Sequence, residues 1–392
     1  MITFLHTADW QLGKPFARVS DPDKRALLRQ ERIAAIERIA VVAREQHAAF
    51  VLVAGDIFDS PVATKETVSA ACAAIGAIPV PVFAIPGNHD HGGPGSIWEQ
   101  PFFFSEKNML APNLTVCLEA KPIELDAAVL LPCPLLRRHE STDTTAWLRG
   151  LDALPDKPRI VLAHGSVRGF STPSEDDDFG DGDAVNQIDL TRLPAGAFDY
   201  VALGDWHGKK QVGANAWYAG TPELDRFPRG EGNQPGHVLV VTVDRGSVPK
   251  VEPVRTARIG WYQHSENLLD DSDLSGLEEK VAALLGSRAQ QDLLRLELRG
   301  QLGIEATTQL EQNLEAWRAR LLRLKLDRQI AVAPSPAEIE SLTRRANDPL
   351  ISRVSEKLLA LTSTDNGDAT AHARLALREL HAACHQPELR DS

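Results

Sequence analysis

The 392-residue chain has few of the sequence features that are typical of exported proteins, membrane-spanning proteins and proteins with structural zinc sites. Its four cysteines are scattered, without the close pairs of a zinc site or the density of a disulfide framework. No apolar run approaches the roughly 18 residues that would span a bilayer, and no signal-like segment opens the chain. We therefore expect a soluble, cytoplasmic protein with no membrane partner.

The chain also has fewer basic than acidic residues. The chain has 42 Lys and Arg residues against 54 Asp and Glu residues, a net charge of −12. Proteins that bind nucleic acid indiscriminately usually carry a basic excess, so this balance argues against that class. It does not exclude DNA as a substrate, because metal ions and local basic patches can offset an acidic surface.

Five segments share one pattern, in which four to six apolar residues precede a small residue and then Asp, Asn or His. Continuous apolar runs of this length fit strands buried on both faces. Helical spacing at 23–47 and 64–77 separates the first three segments, which predicts a layered α/β domain. The five segments are residues 2–9, 50–59, 82–90, 159–165 and 200–208.

The composition changes near residue 257. Leu alternates with charged residues at 292–300 and 321–327, which predicts two half-exposed strands around a helix at 304–320. Helical patterns follow the Pro-rich residues 333–336. We predict a first domain over 1–256, a small α/β domain over 257–332 and a helical segment over 333–392.

Polar residues end each of the five apolar runs. Sites in α/β sheets collect at the carboxyl ends of strands, so these side chains should meet at one edge. Clustered carboxylates repel each other unless cations lie among them, and Asp, Asn and His without Cys suit Mn²⁺, Fe²⁺ or Zn²⁺. The candidates are Asp9, Gln11, Asp56, Asp59, Asn88, His89, His164, Asp205 and His207.

The motifs at these positions resemble those of the calcineurin-like binuclear metallophosphoesterases. GDIFD begins at Gly55, GNHD at Gly87, HG at His164 and the final G-x-x-H at Gly204, and the resemblance spans residues 1 to about 225. It implies a layered α/β/β/α metallophosphoesterase sandwich over the first domain. A small α/β capping domain and a helical C-terminal tail would follow.

Flanking residues resemble one branch of that family most closely. FLHTADWQLGKPF at 4–16, YVALGDWHGKKQV at 200–212 and YAGTPE at 218–223 look like the DNA-repair exonucleases, the SbcD-like nuclease subunits. The resemblance implies a metal-dependent DNA nuclease that partners an SMC-type ATPase through residues 333–392, with a homodimer left open. A small-molecule phosphodiesterase or phosphatase, and a catalytically weakened scaffold for DNA processing, remain alternatives.

The resemblance also implies the roles of the site residues. Two divalent ions would together activate a water and polarise a phosphodiester. His89 would face the substrate and protonate the leaving oxygen, and Asp90 would orient His89. Asp59 would brace the loop by hydrogen bonds. The implied ligands are Asp9, Gln11 and His207 at the first ion, Asn88, His164 and Asp205 at the second, and Asp56 between the two.

Two ligand positions depart from the family pattern. Gln11 takes the place of a His in the first motif, and Asp205 takes the place of a His in the last. Both changes add oxygen ligands, which favours Mn²⁺ most, with Mg²⁺ or Fe²⁺ possible and Zn²⁺ disfavoured. A more loosely bound first ion is the competing consequence.

Aromatic and basic residues beside the motifs are candidates for substrate contact. Trp10 and Trp206 would stack on a base or sugar, or pack behind the ligands. The acidic run at 175–183 is typical of a solvated loop. Phosphate contact, as an alternative to simple solvation, is open for Lys14, Arg137, Arg138, Lys209, Lys210, Arg226 and Arg229.

Overall fold

The computed structural model describes residues 1–151, 154–169, 185–227, 233–286, 291–345, 348–362 and 367–385. The chain divides into two compact units, Met1–Ile259 and Gly260–Ser392. Within the described ranges, no helix has both the length and the apolar character needed to cross a lipid bilayer.

The described secondary structure is mixed α/β. The strands are β1 Ile2–Thr7, β2 Val51–Ala54, β3 Val82–Ile85, β4 Leu114–Val116, β5 Ile123–Glu124, β6 Val129–Cys133, β7 Arg159–His164, β8 Ser166–Val167, β9 Gln187–Ile188, β10 Tyr200–Gly204, β11 Lys210–Gln211, β12 Ala216–Tyr218, β13 His237–Val243, β14 Lys250–Arg255, β15 Trp261–Leu268, β16 Leu293–Leu302 and β17 Arg323–Val332. The α-helices are α1 Pro22–Glu45, α2 Lys65–Gly76, α3 Pro101–Leu110, α4 Asp273–Leu285, α5 Ile304–Arg320, α6 Pro336–Thr343, α7 Pro349–Thr362 and α8 Gly367–His385.

The first unit contains two six-stranded sheets. The order of the first sheet is β14-β13-β1-β2-β3-β4, with β1 to β4 parallel and β13 and β14 antiparallel. The order of the second is β11-β12-β10-β7-β6-β5, with its four central strands parallel. The carboxyl ends of β1, β2 and β3 therefore share one edge of the first sheet, and those of β7 and β10 share one edge of the second.

The two sheets pack face to face around a common apolar core. Phe4 and Leu52 from the first sheet and Leu130, Leu162 and Ala202 from the second belong to one buried cluster. Helices α1 to α3 cover the other face of the first sheet, where a second cluster is buried. Over the outer face of the second sheet, the described residues form 3-10 turns at Ala146–Gly150 and Leu190–Arg192. The layered α/β sandwich predicted from the alternation of strands and helices is confirmed.

The N-terminus of helix α1 carries the capping residues that favour the start of a helix. The Asp21 carboxylate accepts hydrogen bonds from the backbone N–H groups of Asp23 and Lys24, and Pro22 occupies the first helical position. Its inward face is apolar except for Arg32, which is 2% exposed. A buried arginine requires hydrogen-bond partners, and these lie at the site described below.

The second unit is a parallel three-stranded sheet covered by helices. Its strand order is β15-β16-β17, and α4 and α5 share a buried leucine-rich core with the sheet. The two strands and the helix predicted over 292–327 are present, whereas β15 was not predicted. Residues 257–332 and 333–392, predicted as separate regions, largely share this unit, because Leu342 and Leu377 pack against Ile304.

Candidate metal centre

Residues at the ends of strands from both sheets meet in the first unit. Asp9 follows β1, Asp56 follows β2, Asn88 follows β3, His164 ends β7 and Asp205 follows β10. Backbone hydrogen bonds hold the ends of neighbouring strands together, from Asp9 N to Gly55 O at 3.1 Å and from Gly165 N to Gly204 O at 3.1 Å. The fold thus brings five of the seven predicted ligands into one cluster.

Four predicted site residues have backbones in the left-handed region. The φ angles are 54° at Asp9, 41° at Gln11, 56° at Asp56 and 106° at Asp205. Such angles are uncommon for residues that carry a Cβ, and strained backbone of this kind concentrates at functional sites. The surrounding sheets hold these residues in conformations that an isolated loop would not favour.

Two glycines make room for the cluster. A Cβ on Gly55 would lie 2.2 Å from His164 Nδ1, and φ at this glycine is +89°. A Cβ on Gly87 would lie 2.1 Å from Asp56 Oδ1. Any other residue at either position would displace a predicted ligand, which accounts for the glycines of the GDIFD and GNHD motifs.

Asp9, Asp56 and His164 form the centre of the cluster. All three are buried, and one ligand atom from each lies within 4.8 Å of the others. Asp9 Oδ1 accepts a hydrogen bond from Asp205 N at 3.0 Å, whereas Asp9 Oδ2 is buried without a hydrogen-bond partner. Burial, reinforced by the neighbouring carboxylates and opposed by His164, raises the pKa of Asp9 to about 8. The partnerless oxygen fits a bound cation.

The His164 ring lies among acceptors. Its Nδ1 donates to Ala54 O at 2.8 Å, and its Nε2 faces Asn88 Oδ1 at 3.0 Å and Asp56 Oδ2 at 3.7 Å. Burial alone lowers the pKa of this imidazole, but Asp56, Asp9 and Asp205 together raise it to about 9. A divalent cation beside Nε2 would satisfy the same acceptors.

The charge of this cluster also fits a divalent ion. Within the described ranges, no Lys or Arg side chain forms an ion pair with Asp9, Asp56 or Asp205. Asp205 Oδ2 accepts from Ser166 Oγ at 2.7 Å, which fixes that carboxylate. Oxygen and imidazole donors without thiolate are the ligands that Mn²⁺ and similar ions accept. This group is called the carboxylate cluster below: Asp9, Asp56, Asn88, His164 and Asp205.

Gln11 and His207 lie in a different arrangement. Gln11 Oε1 accepts a hydrogen bond from Lys14 Nζ at 2.7 Å, and Gln11 Nε2 lies 3.2 Å from His207 Nε2. His207 Nδ1 lies 3.0 Å from Asp225 Oδ2, to which it donates. Burial lowers the pKa of His207 to about 4, so the ring is neutral. As arranged, these two side chains do not fit a metal ion.

Asp225 gathers positive charge beside His207. Its Oδ2 lies 3.0 Å from Lys14 Nζ and 3.3 Å from Arg226 Nε. Although burial opposes ionisation, His207, Lys14 and Arg226 hold the pKa of Asp225 well below its usual range. The sequence-based reasoning missed Asp225, for which the only signal was its position just after the YAGTPE segment.

His89 is positioned by a different partner from the one predicted. His89 Nδ1 donates to the backbone carbonyl of Asp59 at 2.9 Å, so Nε2 is the nitrogen available to a substrate. The Asp90 carboxylate instead accepts from Phe58 N at 3.0 Å and Gly87 N at 2.7 Å. The predicted role of Asp90 in orienting His89 is therefore corrected, because both of its oxygens brace the metal-binding loops.

Trp10 is a core residue in this structure. It is 1% exposed, packs in the cluster beneath the helices and donates its indole N–H to Thr7 Oγ1 at 2.9 Å. Of the two interpretations of Trp10, packing behind the ligands is the one that the geometry supports. Arg32, absent from the predicted site, donates to Trp10 O at 2.5–2.8 Å and to Asp9 O at 3.1 Å.

Trp206 and Lys210 lie together beyond the end of β10. The Lys210 ammonium is 4.5 Å from the centre of the Trp206 ring, a cation–π contact, and both side chains are partly exposed. Lys209 is partly exposed beside them. The Lys14 ammonium contacts Gln11 Oε1 and Asp225 Oδ2, so its position does not favour a direct contact with a substrate phosphate. Arg229 and the acidic run 175–183 lie outside the described residues.

A profile of the calcineurin-like phosphoesterase family matches residues 2–209. The chain belongs to this family. The matched span contains both Asp9 and His207, the first and last of the predicted ligands, and a metal-dependent phosphoester hydrolase is the activity that membership supports.

Other comparisons add context to this phosphoesterase. The crystal structure of the protein TT1561 of Thermus thermophilus is similar at 11% identity and a TM-score of 0.37, over 65% of this chain and 99% of that one. A second crystal structure is 13% identical with the same TM-score, over 65% and 98% of the two chains. No curated protein matches the phosphoesterase.

Proposed function

We propose that this phosphoesterase is a Mn²⁺-dependent DNA nuclease that works as the nuclease subunit of a DNA-repair complex with an SMC-type ATPase. The observation that carries the catalytic part is the carboxylate cluster with His89 beside it. His89 N donates to Asp56 Oδ1 at 2.9 Å, so the histidine and a metal-site carboxylate are fixed relative to each other. A scissile phosphate held at the cluster would therefore lie beside the loop that carries His89.

The roles of the residues follow from their hydrogen bonds. A divalent ion held by the carboxylate cluster would polarise the phosphoryl group and lower the pKa of a bound water. Because Asp59 O fixes the proton on Nδ1 of His89, the other nitrogen can carry a second proton and give it to the leaving oxygen. Asp90 holds the backbone of Phe58 and Gly87, so it maintains the loops that carry Asp56 and Asn88.

Support for DNA as the substrate comes from the flanking segments. They resemble the DNA-repair branch of the family, and Trp206, which contacts Lys210, follows Asp205 directly on the chain. A flat ring can stack on an unpaired base, and an ammonium group can contact the adjoining phosphate.

A substrate panel tests the proposal. The purified full-length protein is assayed with Mn²⁺ on single-stranded DNA, duplex DNA and bis-p-nitrophenyl phosphate. Cleavage of DNA together with the small phosphodiester is expected. Cleavage of the small phosphodiester alone would replace the proposal with a small-molecule phosphodiesterase. Activity on none of the three would point to a catalytically weakened scaffold.

The identity of the metal is tested on the same substrates. Protein stripped with a chelator should be inactive, and Mn²⁺ should restore activity better than Zn²⁺, because the cluster offers three carboxylates and an amide oxygen against one imidazole. Zinc that restores activity equally well would contradict the argument from ligand hardness.

The ATPase part of the proposal draws on helix α7. Leu350, Val354 and Leu361 are 72%, 38% and 44% exposed, and their spacing of i, i+4 and i+11 places them on one side of the helix. An apolar helix face of this kind suits docking against a partner helix. Removing residues 333–392 would be a poor test, because Leu342 packs on Ile304 and Glu338 accepts from Ile304 N.

Point substitutions on α7 are the sharper experiment. Leu350→Lys with Leu361→Lys should abolish co-purification with an SMC-type ATPase from the same organism and should spare hydrolysis of bis-p-nitrophenyl phosphate. Leu269→Lys is the matched control, because this leucine is 66% exposed but lies outside α7. Retention of the ATPase by the α7 variant would remove this face from the proposal.

A further inference from the structure

Two of the atoms expected to ligate the first metal ion, Gln11 Oε1 and His207 Nε2, accept hydrogen bonds from protein donors. Gln11 Oε1 accepts from the Lys14 ammonium at 2.7 Å, and His207 Nε2 accepts from Gln11 Nε2 at 3.2 Å. The resemblance to binuclear enzymes assigned both residues to a metal ion. In this structure they form a hydrogen-bonded chain from Lys14 through Gln11 to His207.

The direction of this chain is fixed by Lys14. An ammonium group has only donors, so the face of the Gln11 amide that meets it must be the oxygen. The amide N–H₂ is thereby turned toward His207 Nε2. Since the amide N–H₂ can only donate, His207 Nε2 accepts from it, and the ring proton lies on Nδ1, 3.0 Å from Asp225 Oδ2. The hydrogen bond from Lys14 to Gln11 therefore sets the orientation of the hydrogen bond from Gln11 to His207.

Charge around Lys14 is balanced without a metal ion. The Lys14 ammonium lies 3.0 Å from Asp225 Oδ2 and 3.6 Å from Asp59 Oδ1, and Arg226 Nε is 3.3 Å from Asp225 Oδ2. Two carboxylates thus face two permanent cations. A divalent ion bound at His207 would lie close to both cations, and this repulsion disfavours its binding.

The neighbouring carboxylate cluster has the opposite balance. Asp9, Asp56 and Asp205 form no ion pair with Lys or Arg in the part of the chain that the structure describes, and Asp9 Oδ2 is buried without a partner. The carboxylate cluster therefore favours a bound divalent cation, whereas the residues around Gln11 and His207 already contain the Lys14 ammonium.

We propose that the Lys14 ammonium replaces the first metal ion of the binuclear family, so that this phosphoesterase binds a single divalent cation at the carboxylate cluster. Gln11 is then a connector between Lys14 and His207 and not a ligand. The proposal rests on the metal dependence proposed above. Its test counts bound ions, so it can fail while DNA cleavage is observed, and it can succeed where no DNA is cleaved.

The first experiment measures the number of ions bound by the wild-type full-length protein. Protein stripped with a chelator is equilibrated with excess Mn²⁺ and freed of unbound metal. The bound Mn²⁺ is counted by elemental mass spectrometry and examined by electron paramagnetic resonance. One ion per chain, with the spectrum of an isolated Mn²⁺, is expected. A count of none, or two ions with an exchange-coupled spectrum, would overturn the proposal.

The second experiment restores the family pattern. Lys14→Met combined with Gln11→His removes the internal cation and supplies an imidazole, so a second Mn²⁺ and an exchange-coupled spectrum are expected. Lys121→Met combined with Gln11→His is the matched control, because Lys121 is exposed and pairs only with Glu119 among the described residues, and it should keep one ion. One ion in the first double variant, with a wild-type circular dichroism spectrum, would overturn the role of Lys14. If that variant does not fold, the wild-type count decides.

Discussion

His89 has one ring nitrogen committed to the fold and one available for chemistry. Its Nδ1 donates to Asp59 O at 2.9 Å, and its backbone N–H donates to Asp56 Oδ1 at 2.9 Å. The ring is not part of the carboxylate cluster, so its loss should affect proton transfer and leave metal binding intact. This separation of roles gives the histidine a distinct signature under mutation.

We predict that His89→Ala lowers kcat on bis-p-nitrophenyl phosphate by about 10²–10⁴-fold, the usual contribution of a general acid. Bound Mn²⁺ should be unchanged, whereas Asp56→Ala should lose both metal and activity. His91→Gln is the control, because His91 lies on the same loop outside the assigned site. Loss of metal in His89→Ala, with metal retained in Asp56→Ala, would mean that the two roles are exchanged.

At the scale of elements, helix α1 supports the site through the buried side chain of Arg32. Arg32 donates to the carbonyls of Asp9 at 3.1 Å and Glu223 at 2.9 Å, to the carbonyl of Trp10, and to Thr221 Oγ1 at 3.1 Å. These acceptors belong to the segments after β1 and β12. One guanidinium thereby joins the two segments that carry Asp9 and Asp225.

We predict that Arg32→Met lowers the free energy of unfolding by about 3–5 kcal/mol, because several buried acceptors lose their donor. Arg32→Lys should recover only part of this, since an ammonium cannot reproduce the planar fork of donors. Urea unfolding measures the effect, with Arg29→Met as the control on the exposed side of the same helix. Equal stabilities for the Arg32 and Arg29 variants would contradict the bracing role.

At the scale of the whole molecule, a buried histidine links the two sheets of the first unit. His6 on β1 donates from Nε2 to Leu203 O at 3.2 Å and accepts at Nδ1 from Tyr200 Oη at 3.0 Å, both on β10. Burial lowers the pKa of His6 to about 3, so the folded protein keeps this ring neutral. The contact between the sheets therefore depends on a histidine that resists protonation.

We predict that acid destabilises the protein through His6. In the unfolded chain the ring takes up a proton near pH 6.5, and in the folded protein only near pH 3, so the unfolded state binds more protons between these values. The free energy of unfolding should fall as the pH decreases through this window, by at most about 1.4 kcal/mol per pH unit from this group. Urea unfolding at several pH values should show a shallower dependence for His6→Gln.

The control for this profile is His47→Gln, because His47 is exposed. Its pH dependence should parallel that of the wild-type protein. If His6→Gln also follows the wild-type curve, the acid sensitivity arises from other groups, such as the carboxylates of the site.

The sequence by itself determined the five strands that lead into the site (β1, β2, β3, β7 and β10), the family and which residues follow those strands. Apolar runs of four to six residues are local patterns, and each ends on a polar residue at the carboxyl end of a strand. The GDIFD and GNHD motifs fix Gly55 and Gly87, whose missing Cβ atoms make room for His164 and Asp56. Because parallel strands must place these ends together, residues distant along the chain could be assigned to one cluster.

Only the tertiary structure decided which neighbours the site residues have. Gln11 and His207 are 196 positions apart, and the atom of Gln11 that faces His207 depends on where Lys14 lies. No local pattern shows that His89 is held by a backbone carbonyl and not by Asp90, since every residue has such a carbonyl. These contacts decide how many metal ions the site suits, because the partly buried Lys14 ammonium and a divalent cation compete for the same negative charge. Only the packing of the chain in three dimensions brings the Lys14 ammonium to that charge.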